Sequence, residues 1–192
     1  MNTTIAARQP LVRGIPEQFM LRVGEIGSPV GEILLAWDGD GFLRALDFGD
    51  YRARFETLLR RHYGGIDISA ADCPLTVRAA LVRYFDGDFA ALDALPLAAN
   101  GTAFQHSVWS ALRRIPAGTT WTYGRLAAEL GTPAACRAVG SANGANPLAL
   151  VLPCHRVIGT NGSLTGYGGG IERKRALLAH EGVPLPRSDR TP

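Results

Sequence analysis

Cysteine is scarce in this chain. Three occur in 192 residues, Cys73, Cys136 and Cys154. An odd and scattered set makes no disulfide framework. No CxxC or HxxxH spacing is present, so the pattern of a structural metal site is missing. Long apolar runs are missing too. No stretch approaches the roughly 18 residues that cross a bilayer. The opening MNTTIAARQPLVRGIPEQ lacks the apolar segment of a secretory signal. A cytoplasmic protein without membrane contact or metal is expected, with residues 1–17 a loose tail. The last shortage is local. Residues 101–192 hold four Asp or Glu against ten Lys or Arg, a balance of +6; residues 1–100 hold 13 against ten, a balance of −3. The two add to the net charge of +3. A basic half is what contact with a phosphate backbone needs, and a solvated basic face gives the same count.

What is present is an ordinary globular composition, 46% hydrophobic and 19% charged, of a length that suits one large domain or two small ones. Residues 18–48 contain three runs rich in β-formers, QFMLRVGEI, GEILLAWD and FLRALDF, separated by the turn sequences GSPVG and DGDG. They predict a three-stranded meander. Helical spacing follows over 51–63, at Phe55, Leu58, Leu59 and His62, and again over 74–88, with Pro74 suited to a first turn. DFAALDALPLAANGT reads as an extended connector, and a domain boundary is expected near 98–99. Residues 102–115 repeat the helical stripe at Phe104, Val108, Trp109 and Leu112, with Thr102 as N-cap. Over 119–147, Tyr123, Leu126, Ala127 and Leu130 share one helix face. Gly131-Thr132 then turns the chain, and Pro133 opens a second helix. This pattern fits a helix-turn-helix, although many unrelated helix pairs share it. The second helix carries Ala134, Ala135, Ala138, Gly140, Ser141 and Ala142, with Arg137 as its one long cation. Small residues allow close approach to a sugar–phosphate wall, and equally to a neighbouring helix.

The segment LVLPCHRVIG places Cys154 beside His155 and Arg156 inside an apolar run. A cysteine there is inert core filling or a nucleophile with a base at hand. PCHRVIG, with RAVGSANGANP upstream and GYGGGIERKRALLAHEG downstream, closely resembles the O6-alkylguanine-DNA alkyltransferases, the methylated-DNA–protein-cysteine methyltransferases of direct-reversal repair. The likeness runs from about residue 102 to 183. The chain looks like the stand-alone bacterial type.

The resemblance implies an α+β fold: a small ribonuclease-H-like domain with an antiparallel sheet over 18–98, and a helical DNA-binding domain with a helix-turn-helix over 99–192. It implies that Cys154 accepts the alkyl group and that His155 takes the thiol proton through a water. Glu181 would orient His155, and Asn146 would tie the helix pair to the cysteine loop. Tyr123 would rotate the phosphate and hold the guanine. Arg137 would fill the gap left by a flipped base, with Ala135 and Ser141 beside it on the DNA face. Val157, Tyr167, Gly168 and Gly169 would line the base pocket. Two positions depart from parts of the family: Gly168, where some members carry serine, and Ala149, where mammalian relatives carry proline. The partner implied is double-stranded DNA containing O6-alkylguanine, met by a monomer, with cooperative assembly along DNA and repair of O4-alkylthymine left open. No cofactor is implied.

The chemistry asks for these groups. Displacement at a saturated carbon needs a soft nucleophile, and a free thiol with a pKa near ~8.5 needs a base to supply one at neutral pH. A proton donor must help guanine leave, and Tyr123 is the candidate. Taken singly, Tyr123 also reads as a packed aromatic, Glu181 as a solvated helix-end residue and Asn146 as a turn before Pro147. Arg156 reads as an ion-pair partner holding the loop. The competing functions are an alkylated-base sensor without chemistry, a cysteine hydrolase and a transcription regulator. The cysteine argues against the first, and the small-residue helix against the last.

Overall fold

The computed structural model describes residues 20–184; the tail expected at 1–17 lies outside them. Three strands form first: β1 (Met20–Ile26), β2 (Ile33–Trp37) and β3 (Leu43–Phe48). They pair antiparallel as a meander through the two turns expected from the sequence. In β2 alternate side chains serve two cores. Ile33, Leu35 and Trp37 face one; Leu34 and Ala36 face the other, with Phe55, Leu59 and Tyr63 of helix α1 (Arg52–Tyr63). A register shift between Ala36 and Trp37 accompanies the burial of Arg44, which pairs with buried Asp38 at 2.6 Å.

The sheet is mixed, which corrects the purely antiparallel expectation. A fourth strand, β4 (Asp67–Ala70), pairs parallel with β1 at the sheet edge, giving the order β3-β2-β1-β4. The reason is topological: α1 lies between β3 and β4 and carries the chain back across the sheet, so the next strand runs parallel. Helix α2 (Leu75–Phe85) follows, starting one residue after Pro74. The connector is less extended than expected. Ala91–Ala94 form a 3-10 turn before Leu97 bridges to Leu43.

Among the described residues, the second half is built on four helices. The first, α3 (Ala103–Leu112), is capped by Thr102, whose hydroxyl accepts from Gln105 N while the Gln105 side chain accepts from Thr102 N. Next come α4 (Tyr123–Glu129), a 3-10 turn at Pro133–Ala135, and α5 (Cys136–Gly144). The last is α6 (Ile171–His180). Two short strands, β5 (Trp121–Thr122) and β6 (Val157–Ile158), pair in parallel. One apolar cluster runs through both halves, from Trp37, Phe48 and Tyr84 to Trp109, Leu148 and Leu152. The loop before Cys154 is stitched to the sheet: Leu46 N donates to Pro147 O at 2.8 Å and Ala149 N to Leu46 O at 2.9 Å. Among the described residues no helix is long and apolar enough to cross a membrane.

Candidate active site around Cys154

Residues 148–156 form a tight, wholly buried loop. Leu150 adopts φ 66°, a left-handed conformation that costs a branched side chain energy and persists only where packing holds it. Asn146 supplies part of that hold. Its amide donates to Leu152 O at 2.8 Å, and its side-chain oxygen accepts from Leu148 N at 2.9 Å. The turn residue of the sequence is therefore a buried brace. Cys154 sits at the start of a 3-10 turn, 6% exposed. Burial pushes its thiol pKa up, against an Asn146 hydrogen bond and the positive charges of Arg54 and Lys174. A thiol pushed up in this way keeps its proton at neutral pH, and a nucleophilic role would need a base.

An imidazole stands next in the chain. His155 is fully buried, and its Nε2 lies 3.0 Å from Glu181 Oε1. With Glu181 ionised, that contact places the proton on Nε2 and leaves Nδ1 basic; Nδ1 itself is buried and takes no hydrogen bond from the protein. Glu181 is buried at the end of α6, not solvated. Arg156 grips it twice, Nε to Oε2 at 2.8 Å and Nη2 to Oε1 at 2.7 Å, and donates Nη1 to Ile115 O at 2.6 Å. This is the ion pair expected of Arg156. Burial alone would raise the Glu181 carboxyl, but the hydrogen bonds from His155 and Arg156 outweigh it and hold it far below the usual range. Burial pushes His155 down, against the bond and charge of Glu181.

Tyr123 begins α4 and packs against the small residues around it. A methyl built on Gly140 would sit 3.8 Å from its ring, and one on Gly166 3.0 Å from its hydroxyl. Burial raises its pKa, and negative charge on Cys154 would raise it further. Tyr167 is buried, its ring tilted 80° to His155 at 6.4 Å. Val157 is buried on β6. Arg137 and Ser141 are exposed on α5 and Ala135 is half-buried at its start, so these three lie on the outer surface rather than around the thiol.

Three residues in and around the site, Arg54, Lys174 and Tyr84, carry no signal in the sequence. Arg54, on α1, pairs with buried Asp47 and donates to Gly144 O at 3.2 Å and Asn146 O at 3.5 Å. It also lies against Gly168: a Cβ there would fall 2.4 Å from the Arg54 guanidinium carbon. A Cβ on Gly169 would fall 2.6 Å from the Phe48 ring. Both glycines make room for the first half of the chain. Lys174, fully buried on α6, donates to Val157 O at 2.5 Å and Thr165 O at 2.9 Å, tying β6 to the glycine-rich loop. Burial lowers its pKa to about 8. Tyr84, on α2, donates its hydroxyl to Glu181 Oε1 at 2.7 Å.

The chain has known counterparts. Residues 103–183 match the family described as 6-O-methylguanine DNA methyltransferase, DNA binding domain. A methylated-DNA–protein-cysteine methyltransferase of Salmonella typhimurium is 50% identical over 170 residues, covering 86% of this chain and 99% of its own length. One from Methanosarcina acetivorans is 44% identical over 158 residues, covering 81% and 94%. Mycobacterium tuberculosis OGT in complex with DNA superimposes with a TM-score of 0.66 at 40% identity, covering 84% of this chain and 93% of that one. The O6-methylguanine-DNA methyltransferase of the archaeon Pyrococcus kodakaraensis gives 0.68 at 27% identity, covering 85% and 100%.

Proposed function

This chain belongs to the methylated-DNA–protein-cysteine methyltransferases, and from that membership we propose how its residues carry out the reaction. Its function is direct reversal of DNA damage: one alkyl group moves from O6 of guanine to Cys154, once and irreversibly. The observation that carries the assignment is a buried cysteine followed by a histidine whose Nε2 is fixed on an ionised, arginine-clamped carboxylate.

The proposed steps are these. The damaged base is extruded from the duplex at a cost of a few kcal/mol, and Arg137, exposed on α5 among small residues, takes its place in the stack. Ala135 and Ser141 accompany it on the DNA face, and α4 with α5 act as a helix-turn-helix. His155 Nδ1 takes the Cys154 proton through a bridging water. The sulfur attacks the alkyl carbon; an S–C bond forms and the C–O6 bond breaks. The Tyr123 hydroxyl gives a proton to the departing guanine, and the proton held on His155 restores the balance. Tyr167, Val157 and the Gly168–Gly169 backbone enclose the base, and Asn146 keeps the loop in register with α5. The product is a thioether, which water does not cleave under mild conditions, so the protein acts once. No cofactor enters these steps.

The finer fold reading has support in the strand order β3-β2-β1-β4, with α1 crossing between β3 and β4, which fits a ribonuclease-H-like sheet. Double-stranded DNA is the partner, O6-alkylguanine the lesion, a monomer the acting form and the cytoplasm its compartment. The experiment is peptide mass spectrometry after mixing the protein with a duplex carrying one O6-methylguanine. A stoichiometric methyl on the Cys154 peptide, without turnover, is expected. Tight lesion binding without modification would instead establish a sensor.

A further inference from the structure

The first half of the chain touches the proton relay through one phenol. Tyr84 lies in the last turn of α2 and is fully buried. Three rings enclose its own: Phe85 at 5.1 Å, Phe89 at 5.8 Å and His180 at 5.5 Å between centroids. His180 also fixes its backbone, with Nε2 3.0 Å from Tyr84 O. The hydroxyl therefore has a set position, 2.7 Å from Glu181 Oε1. Its direction is set as well. Burial, and then the charge of Glu181, push the phenol far above its ordinary value, so it keeps its proton. The ionised carboxylate can only accept.

Glu181 Oε1 accepts from three side chains, Tyr84, Arg156 Nη2 and His155 Nε2, whereas Oε2 accepts from Arg156 Nε. Charge drawn toward the phenol is charge that His155 does not receive. Opposed influences meet at His155. Glu181 alone among its neighbours favours the imidazolium; burial and the positive charges of Arg156 and Lys174 all oppose it. The Tyr167 ring edge completes the surroundings.

We propose that Tyr84 is a positioning residue for the transfer: its hydroxyl holds Glu181 and limits the pull of that carboxylate, which keeps His155 a neutral imidazole able to take the Cys154 proton. This rests on the transfer reading above. It gives the first half of the chain a part in the chemistry through a contact 97 residues distant in sequence.

Tyr84→Phe tests it cleanly. The ring and its packing remain, and Oε1 keeps two donors, so no buried acceptor is stranded. Nitrogen-15 NMR of the full chain reads the titration and tautomer of His155 among only four histidines. Single-turnover methyl transfer from an O6-methylguanine duplex is measured over the same pH range. The expected result is a His155 midpoint raised by about half a unit, with the acid limb of the rate moving by the same amount and the plateau within about twofold. An unmoved midpoint with unchanged rates overturns the proposal. So does a rate lowered by one factor at every pH with His155 unmoved, which would make Tyr84 a packing residue only. A parent protein that transfers no methyl at all overturns the transfer reading itself, and with it this role.

Discussion

Two buried carboxylates lie near Cys154, and they behave oppositely. Glu181 and Asp47 are both under 5% exposed and both meet an arginine. Glu181 is held far below the usual carboxylate range, whereas burial pushes Asp47 up despite Arg54 beside it. The difference is in the donors. Glu181 receives Tyr84, His155 and both forks of Arg156; Asp47 receives only Arg54 and a backbone bond from Phe48, and Arg54 also spreads its other nitrogen over two backbone carbonyls. Burial by itself neutralises an acid. Only converging donors keep one charged where water is absent.

Glu181→Gln should give the largest effect. The amide cannot fix the His155 tautomer, and it leaves Arg156 buried without a counter-charge. Methyl transfer should fall about a hundredfold or more, and denaturant unfolding should show a loss of about 3–5 kcal/mol. A variant within about threefold of the parent rate would break the comparison. The pH dependence carries the same contrast. Glu181, with its folded value depressed, stabilises the fold above its unfolded pKa near ~4.3. That contribution is lost as the pH falls through the depressed value. Asp47, with its value raised, favours folding while protonated, and its contribution is lost as the pH rises through the raised value. Acid unfolding curves of Glu181→Gln and Asp47→Asn should therefore depart from the parent in opposite senses.

Lys174 sharpens the point from the cationic side. Its folded pKa of about 8 lies below the unfolded value near ~10.4, so the unfolded chain holds that proton more tightly and parent stability rises with pH between the two. Lys174→Met should lose that slope and cost about 1–2 kcal/mol, because Val157 O and Thr165 O lose their donor. Thermal unfolding at pH 7 and pH 9.5 reads both. Asp47→Asn should be the mildest at neutral pH, within about 1 kcal/mol, since the Arg54 side chain keeps 24% of its surface in water. A loss as large as that of Glu181→Gln would show that donor number is not what separates the two acids.

Much of this was legible in residue order. The runs before Phe48, the helix stripes and the Thr102 cap came out as alternation, spacing and capping chemistry direct, because each is a short-range signal. Cys154, His155 and Glu181 were legible through local motifs. Strand β4 was not: DISA is four residues, mostly exposed, at a sheet edge, with too little apolar alternation to register. Tyr84 and Arg54 were not legible either, since each reads as a helix residue and meets the site across some 90 positions of chain. Lys174 stands in the charged run ERKR and looks solvated; its burial depends on how α6 lies against β6. The resemblance implies that Gly168 and Gly169 line the base pocket, and their described close contacts include Arg54 and Phe48, which residue order does not show. Partners brought together by folding leave little trace in the order of residues.

A protein spent on first use has to keep well until then. Thiols spoil by meeting peroxides and stray electrophiles, and the susceptible form is an accessible thiolate. Cys154 is covered and protonated, whereas Cys136 lies partly open at the start of α5. The same packing that makes the sulfur hard to ionise thus gives it a shelf life.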